Sequence, residues 1–121
     1  MTEDLSTKLE DIKQIEFIIK YCSQVEDAVQ VFGSDEEDFL GNVHYQNACA
    51  FALSQIGEHV KQLSHGLRKK YSEIEWKEIA GFRDILSHDY PGVNLSTFWD
   101  TVTKEVPKLK NDCEIILRNL K

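Results

Sequence analysis

From Leu5 to Phe32 the apolar residues recur at steps of three and four: Leu5, Leu9, Ile12, Ile15, Ile19, Cys22, Val25, Val29 and Phe32. A repeat near 3.6 residues keeps them on one side of an α-helix, whereas a strand needs strict alternation. A helix this long must bury its stripe against other helices. Gly33 and the acidic run from Ser34 to Asp38 end the segment. The same period returns in Tyr45, Ala48, Cys49, Ala52, Leu53, Ile56, Val60 and Leu63, which predicts a second helix stopping near Gly66. A short third piece is expected over 67–71.

Ser72-Glu73-Ile74-Glu75 reads as a capping box, with Ser72 and Glu75 serving the first free amides of the next helix. That helix carries Trp76, Ile79, Ala80, Phe82, Arg83 and Leu86, and Pro91 forces its end to about His88. A last helix starts near Asn94 or Ser96 and carries residues from Leu95 to Leu120. Pro107 should kink or restart it. No strand-like alternation, repeat or low-complexity linker interrupts this pattern. The expected architecture is an all-α bundle of four main helices with a short extra helix, forming one domain over residues 1–121.

A chain of 121 residues supports one modest core. It has no apolar run approaching the roughly 18 residues of a membrane span. The start, Met1-Thr2-Glu3-Asp4, lacks the basic and apolar regions of a signal peptide, so the expected location is cytoplasmic. Cys22, Cys49 and Cys113 are far apart, form no CxxC pair and sit at helical spacing among apolar residues. They read as small buried hydrophobes and not as a disulfide framework. The net charge of −7 is unevenly spread. Residues 1–40 hold eleven acids and three lysines, while the remainder is nearly balanced. Lys61, Arg68, Lys69 and Lys70 make a locally basic stretch, by default a solvated surface and alternatively a phosphate-attracting rim.

The chemistry-bearing residues lie between Gly81 and Gly92, where Arg83, His88 and Tyr90 stand close together. Arg binds phosphate bidentately, and His exchanges protons near neutral pH. At about 100° per residue, however, Arg83 and His88 lie roughly 140° apart on one helix. Fraying of the helix end would relieve this, and so would a two-fold dimer that brings two Arg and two His to a shared cleft. Each residue also has a plain structural reading. Arg83 can pair with Asp84, Glu78 or another helix, His88 can suit a helix C-terminus, and Tyr90 can be a core ring. No HExxH, Glu-x-x-His, GxxxxGK[ST], GxGxxG or GxSxG pattern occurs, so no metal or cofactor is expected.

Arg83-x4-His88-x-Tyr90 resembles the RX4HXY motif of HepT-like toxins in the HEPN superfamily, the partners of minimal nucleotidyltransferase antitoxins. The surroundings agree: Ile56-Gly57-Glu58-x-x-Lys61, then Tyr71 to Leu86, then Val106-Pro107-x-Leu109. The resemblance covers roughly residues 5–120. It implies a homodimer with both motifs in an interface cleft, acting as a metal-independent endoribonuclease in a type VII toxin–antitoxin system. By that resemblance Arg83 would hold the scissile phosphate of RNA, and His88 would be the general acid or base. Asp84 would orient one of them. A cognate nucleotidyltransferase antitoxin would silence the toxin by AMPylation of Tyr90. The competing expectation is a non-catalytic HEPN module that binds or presents substrate to a nucleotidyltransferase.

Overall fold

The computed structural model describes residues 2–121, with side chains described from Asp4 onward. Seven α-helices follow one another: α1 (Thr2–Phe32), α2 (Glu36–Leu40), α3 (Val43–Lys61), α4 (His65–Lys70), α5 (Trp76–His88), α6 (Leu95–Asp100) and α7 (Val106–Leu120). A 3-10 turn, Tyr90–Gly92, follows α5, and a π turn, Thr101–Glu105, joins α6 to α7 in one rod. There is no strand among the described residues. The chain is therefore all-helical, as expected, with two short helices where one was anticipated. Helix α3 is central, packed between α1 and α5, and α7 lies along α1.

The buried stripe of α1 runs through Ile15, Ile18, Cys22, Val25 and Ala28. The apolar period extends further toward the N-terminus than the buried stripe does. Leu5 and Leu9 are 55% and 57% exposed, because the packed part of α1 begins at Asp11. Helix α1 stops at Gly33, whose φ of 124° suits a residue without Cβ. The Tyr45 hydroxyl donates to the Gly33 carbonyl at 2.8 Å. Phe39, on the short α2 inside the acidic run, is fully buried against Phe98, Trp99 and Tyr45. All three cysteines are buried free thiols. Burial pushes Cys22 and Cys49 up to about 12 and raises Cys113 further.

Caps define most of the remaining ends. Asn42 accepts from the amides of His44 and Tyr45 to start α3. Ser64 accepts from Leu67 to start α4, so Gly66 lies within a helix instead of ending one. Asn94 accepts from Thr97 to start α6, one of the two expected positions. The expected box at Ser72 and Glu75 does not form. Residues 72–75 are a tight turn, and Glu75 immediately precedes α5 with no side-chain cap bond. Ile74 and Trp76 are buried, and the Trp76 indole donates to the Tyr71 carbonyl at 3.1 Å. Tertiary burial thus overrides the local capping preference. Pro107 restarts the last helix through a widened turn, in which the Val106 amide donates five residues back to Thr101. The wider turn eases the clash between a proline ring and the carbonyl four residues earlier.

Two buried polar residues tie α1 to the α3–α4 corner. Asp11 accepts from the Ser64 amide at 2.8 Å and from its hydroxyl at 2.6 Å. Gln14 donates to Glu10, so its carbonyl faces His59 Nδ1 at 2.7 Å and fixes the proton on that nitrogen. The His59 ring stacks on Phe17 and Tyr21. Desolvation lowers its pKa, Glu58 opposes the shift, and Lys13 and Lys20 add to it. A histidine kept neutral by the fold stabilises fully above its unfolded pKa of about 6.5, and that contribution is lost as pH falls below it. Urea unfolding should therefore show stability declining from about pH 7 toward about pH 5. His59→Gln should remove a measurable part of that decline, and an unchanged pH dependence would show that His59 does not cause it.

Candidate active site on the α3–α5 face

Helices α3 and α5 run antiparallel, as three cross-contacts show. Tyr90, just past α5, donates its hydroxyl to Asn47 near the start of α3 at 2.8 Å. Arg83 lies against Gly57 and Glu58. Asp84 meets Lys61 at the end of α3, Nζ to Oδ1 at 2.7 Å. Asn47, Phe51, Ser54, Glu58 and Lys61 recur at steps of three and four and form one stripe. Arg83, Asp84 and Tyr90 meet this stripe at separate points along it, and no contact ties His88 to it.

Arg83 is held by backbone proximity. A Cβ at Gly57 would collide with the Arg83 Cβ and lie 2.9 Å from its Cγ. Only glycine on α3 leaves room for the arginine stem. The guanidinium then reaches Asp84 Oδ1 at 3.3 Å and Glu58 Oε2 at 3.4 Å. Its side chain keeps 29% of its surface exposed, and these pairs are solvent-facing and screened by salt. Hydrogen bonding from Lys61 first, and from Arg83 with it, holds the Asp84 carboxyl below its usual range. Asp84 therefore does pair with Arg83. It touches Lys61 as well, a partner that reading the motif alone could not supply.

His88 is the last residue of α5 and is exposed, and its ring makes no hydrogen bond to a described residue. The helix stays regular to that point, with Asp89 N–H donating to the Ile85 carbonyl at 2.9 Å. Fraying therefore does not turn His88 toward Arg83, and no hydrogen bond joins the two among the described residues. Tyr90 is half-buried among core residues, while its hydroxyl reaches a solvent-facing bond. Burial, with Cys49 adding to it, raises the phenol above its ordinary pKa. The Tyr90 ring is thus only partly open to solvent.

A cleft of about 230 Å³ opens between α3, α5 and α7, and its walls include none of the stripe residues. Its floor is apolar, with Leu53, Ile56, Ile79, Phe82, Val106 and Leu109, and its rim carries Glu75, Glu78, Glu105 and Asp112 against Lys108. That charge is unsuited to a phosphate backbone. No group of His, Cys, Asp and Glu able to hold a metal exists among the described residues.

A helical bundle presenting arginine, histidine and tyrosine along one solvent-facing helix pair is the class of protein defined here. Comparison with known proteins narrows the class. The family model described as "Ribonuclease HepT-like" matches residues 9–116, and the chain belongs to that family. It is 39% identical over 107 residues to a "Putative RNase" of Caldanaerobacter subterraneus subsp. tengcongensis, covering 88% of this chain and 94% of that one. A "Putative RNase" of Methanocaldococcus jannaschii is 37% identical over 111 residues, covering 91% and 94%. The "Probable ribonuclease HepT" of Thermococcus cleftensis is 40% identical over 78 residues, covering 64% and 71%. No solved structure matches. No described helix is long and apolar enough to cross a membrane.

Sequence reasoning named Gly57 only among the surroundings of the motif and gave it no role, although a glycine inside a helical repeat signals close backbone approach or a packing role. Overpacking there costs about 1–3 kcal/mol, more than the gain of up to about 1 kcal/mol in helix propensity. Gly57→Ala should lower unfolding free energy by about 1–2 kcal/mol in urea titration. An unchanged or raised midpoint would refute a tight contact.

Proposed function

We propose that the chain is the toxic component of a type VII toxin–antitoxin system. In this reading it is a metal-independent endoribonuclease that acts as a homodimer and is silenced by AMPylation of Tyr90. One observation carries the reading: a chain matching a ribonuclease family across residues 9–116 presents a solvent-reaching Arg83 and an exposed His88 on one helix. Because α5 keeps them on different sides, two copies facing one another complete the site. Phe51 and Ile85 are 58% and 49% exposed and offer apolar area for that contact. Phe51 shares the α3 stripe, and Ile85 lies one turn from His88.

Arg83 holds the scissile phosphate and stabilises the negative charge growing on its oxygens. His88 takes the proton of the ribose 2′-hydroxyl, whose oxygen attacks the adjacent phosphorus. The bond to the 5′-oxygen breaks, and His88 of the partner subunit returns a proton to that oxygen. The products are a 2′,3′-cyclic phosphate and a 5′-hydroxyl. Control acts at Tyr90. The phenol oxygen attacks the α-phosphorus of ATP, pyrophosphate leaves, and the proton passes to a base of a cognate nucleotidyltransferase antitoxin. The attached phosphate repels an RNA backbone.

Arg83→Ala and His88→Ala should each reduce RNA cleavage at least 100-fold, a typical size for losing one charge stabiliser or acid–base group. Mixing the two should restore little, since a mixed two-fold dimer holds a single His88 and the reaction uses one from each subunit; substantial recovery would show that one His88 suffices. Wild type and both variants sharing the same trace activity would leave only the non-catalytic module. Mass spectrometry after incubation with the antitoxin and ATP should show AMP on the Tyr90 peptide and none on Tyr90→Phe. Equal labelling of both would remove Tyr90 from the control step.

A further inference from the structure

We infer that Lys61 is a second phosphate-binding cation beside Arg83, and that Asp84 fills their shared anion seat in the free chain. The inference deepens the ribonuclease reading and rests on it. Two distances carry it. A single oxygen, Asp84 Oδ1, lies 2.7 Å from Lys61 Nζ and 3.3 Å from Arg83 NH1. Two cations on different helices thus converge on one anionic oxygen, the arrangement a phosphate oxygen takes between an ammonium and a guanidinium.

The chain's own carboxylate is a poor occupant of this seat. It uses one oxygen where a guanidinium favours two, and its bond to Arg83 is long. Glu58 makes only a charge contact at 3.4 Å, so most of the five guanidinium N–H groups stay available. Lys61 and Asp84 remain 36% and 47% exposed, which leaves the seat open to a strand arriving from solvent. A phosphodiester with two free oxygens can bridge both cations and displace Asp84 toward solvent. Asp84 then acts as a tethered competitor that keeps weak anions off the site and yields to a polyanion.

Two effects of Lys61 have to be separated. It can touch the phosphate directly, or it can act only by drawing Asp84 away from Arg83. A double-mutant cycle distinguishes them. The measurement is fluorescence anisotropy with a 2′-O-methyl RNA oligonucleotide, which binds without being cleaved, against the full chain at several salt concentrations. Lys61→Ala should weaken binding about tenfold and reduce the slope of log affinity against log salt by about 0.7, the loss of one single-strand phosphate contact. Lys61→Arg should retain both, and Asp84→Asn should tighten binding severalfold. The double variant Lys61→Ala with Asp84→Asn should bind more weakly than Asp84→Asn alone. If those two bind equally, Lys61 does not touch the phosphate and the shared seat is wrong. If Lys61→Ala binds like wild type while Arg83→Ala fails, the seat is also wrong but the ribonuclease reading stands. If Arg83→Ala binds like wild type too, both fall.

Discussion

Gly57 lets α3 and α5 approach until the Arg83 stem fills the space where a side chain would otherwise stand. The other contacts of the face follow from that approach. With the backbones this close, Glu58 and Lys61 come within reach of Arg83 and Asp84, and Asn47 comes within reach of Tyr90. A larger residue would widen the helix pair and loosen all three contacts together. Because α5 is short and regular, its orientation depends on this packing and on the buried anchors Trp76 and Leu86 near its two ends.

A different constraint governs the side of α3 that meets α1. There Asp11 and Gln14 are buried polar groups, and their hydrogen bonds to Ser64 and His59 fix the register of α1 against the α3–α4 corner. Buried polar groups tolerate few alternatives, because a shifted helix would leave them unpaired. Helix α3 is therefore located by polar pairing along α1 and by close backbone packing along α5. The two together make it a rigid base for the exposed stripe from Asn47 to Lys61.

The helical class was legible because apolar spacing is a local signal, and α1 and α5 end where expected, while α3 stops at Lys61, short of Gly66. The misses have common physical causes. Helix α2 was hidden because its residues are mostly acids and its stability comes from one buried ring, Phe39. The Ser72–Glu75 box had the right letters, but Ile74 and Trp76 draw the segment inward. Leu5 and Leu9 continued the period past the point where α1 has anything to pack on. At the candidate site, spacing alone was enough to show that Arg83 and His88 diverge. The pairings of the motif were not legible, even though Glu58 and Lys61 stood among its surroundings, because Asn47, Glu58 and Lys61 reach it only through the antiparallel pairing of α3 with α5. Family resemblance supplied roles for the motif residues, and the geometry supplies their neighbours.

Each of the three cysteines sits in the interior with its thiol held protonated. Oxidation and alkylation need a thiolate that reagents can reach, and this surface offers none. The molecule is therefore indifferent to the redox state of its surroundings while it stays folded. Loss of that indifference reports unfolding: a thiol reagent that begins to react has counted the molecules whose core has opened.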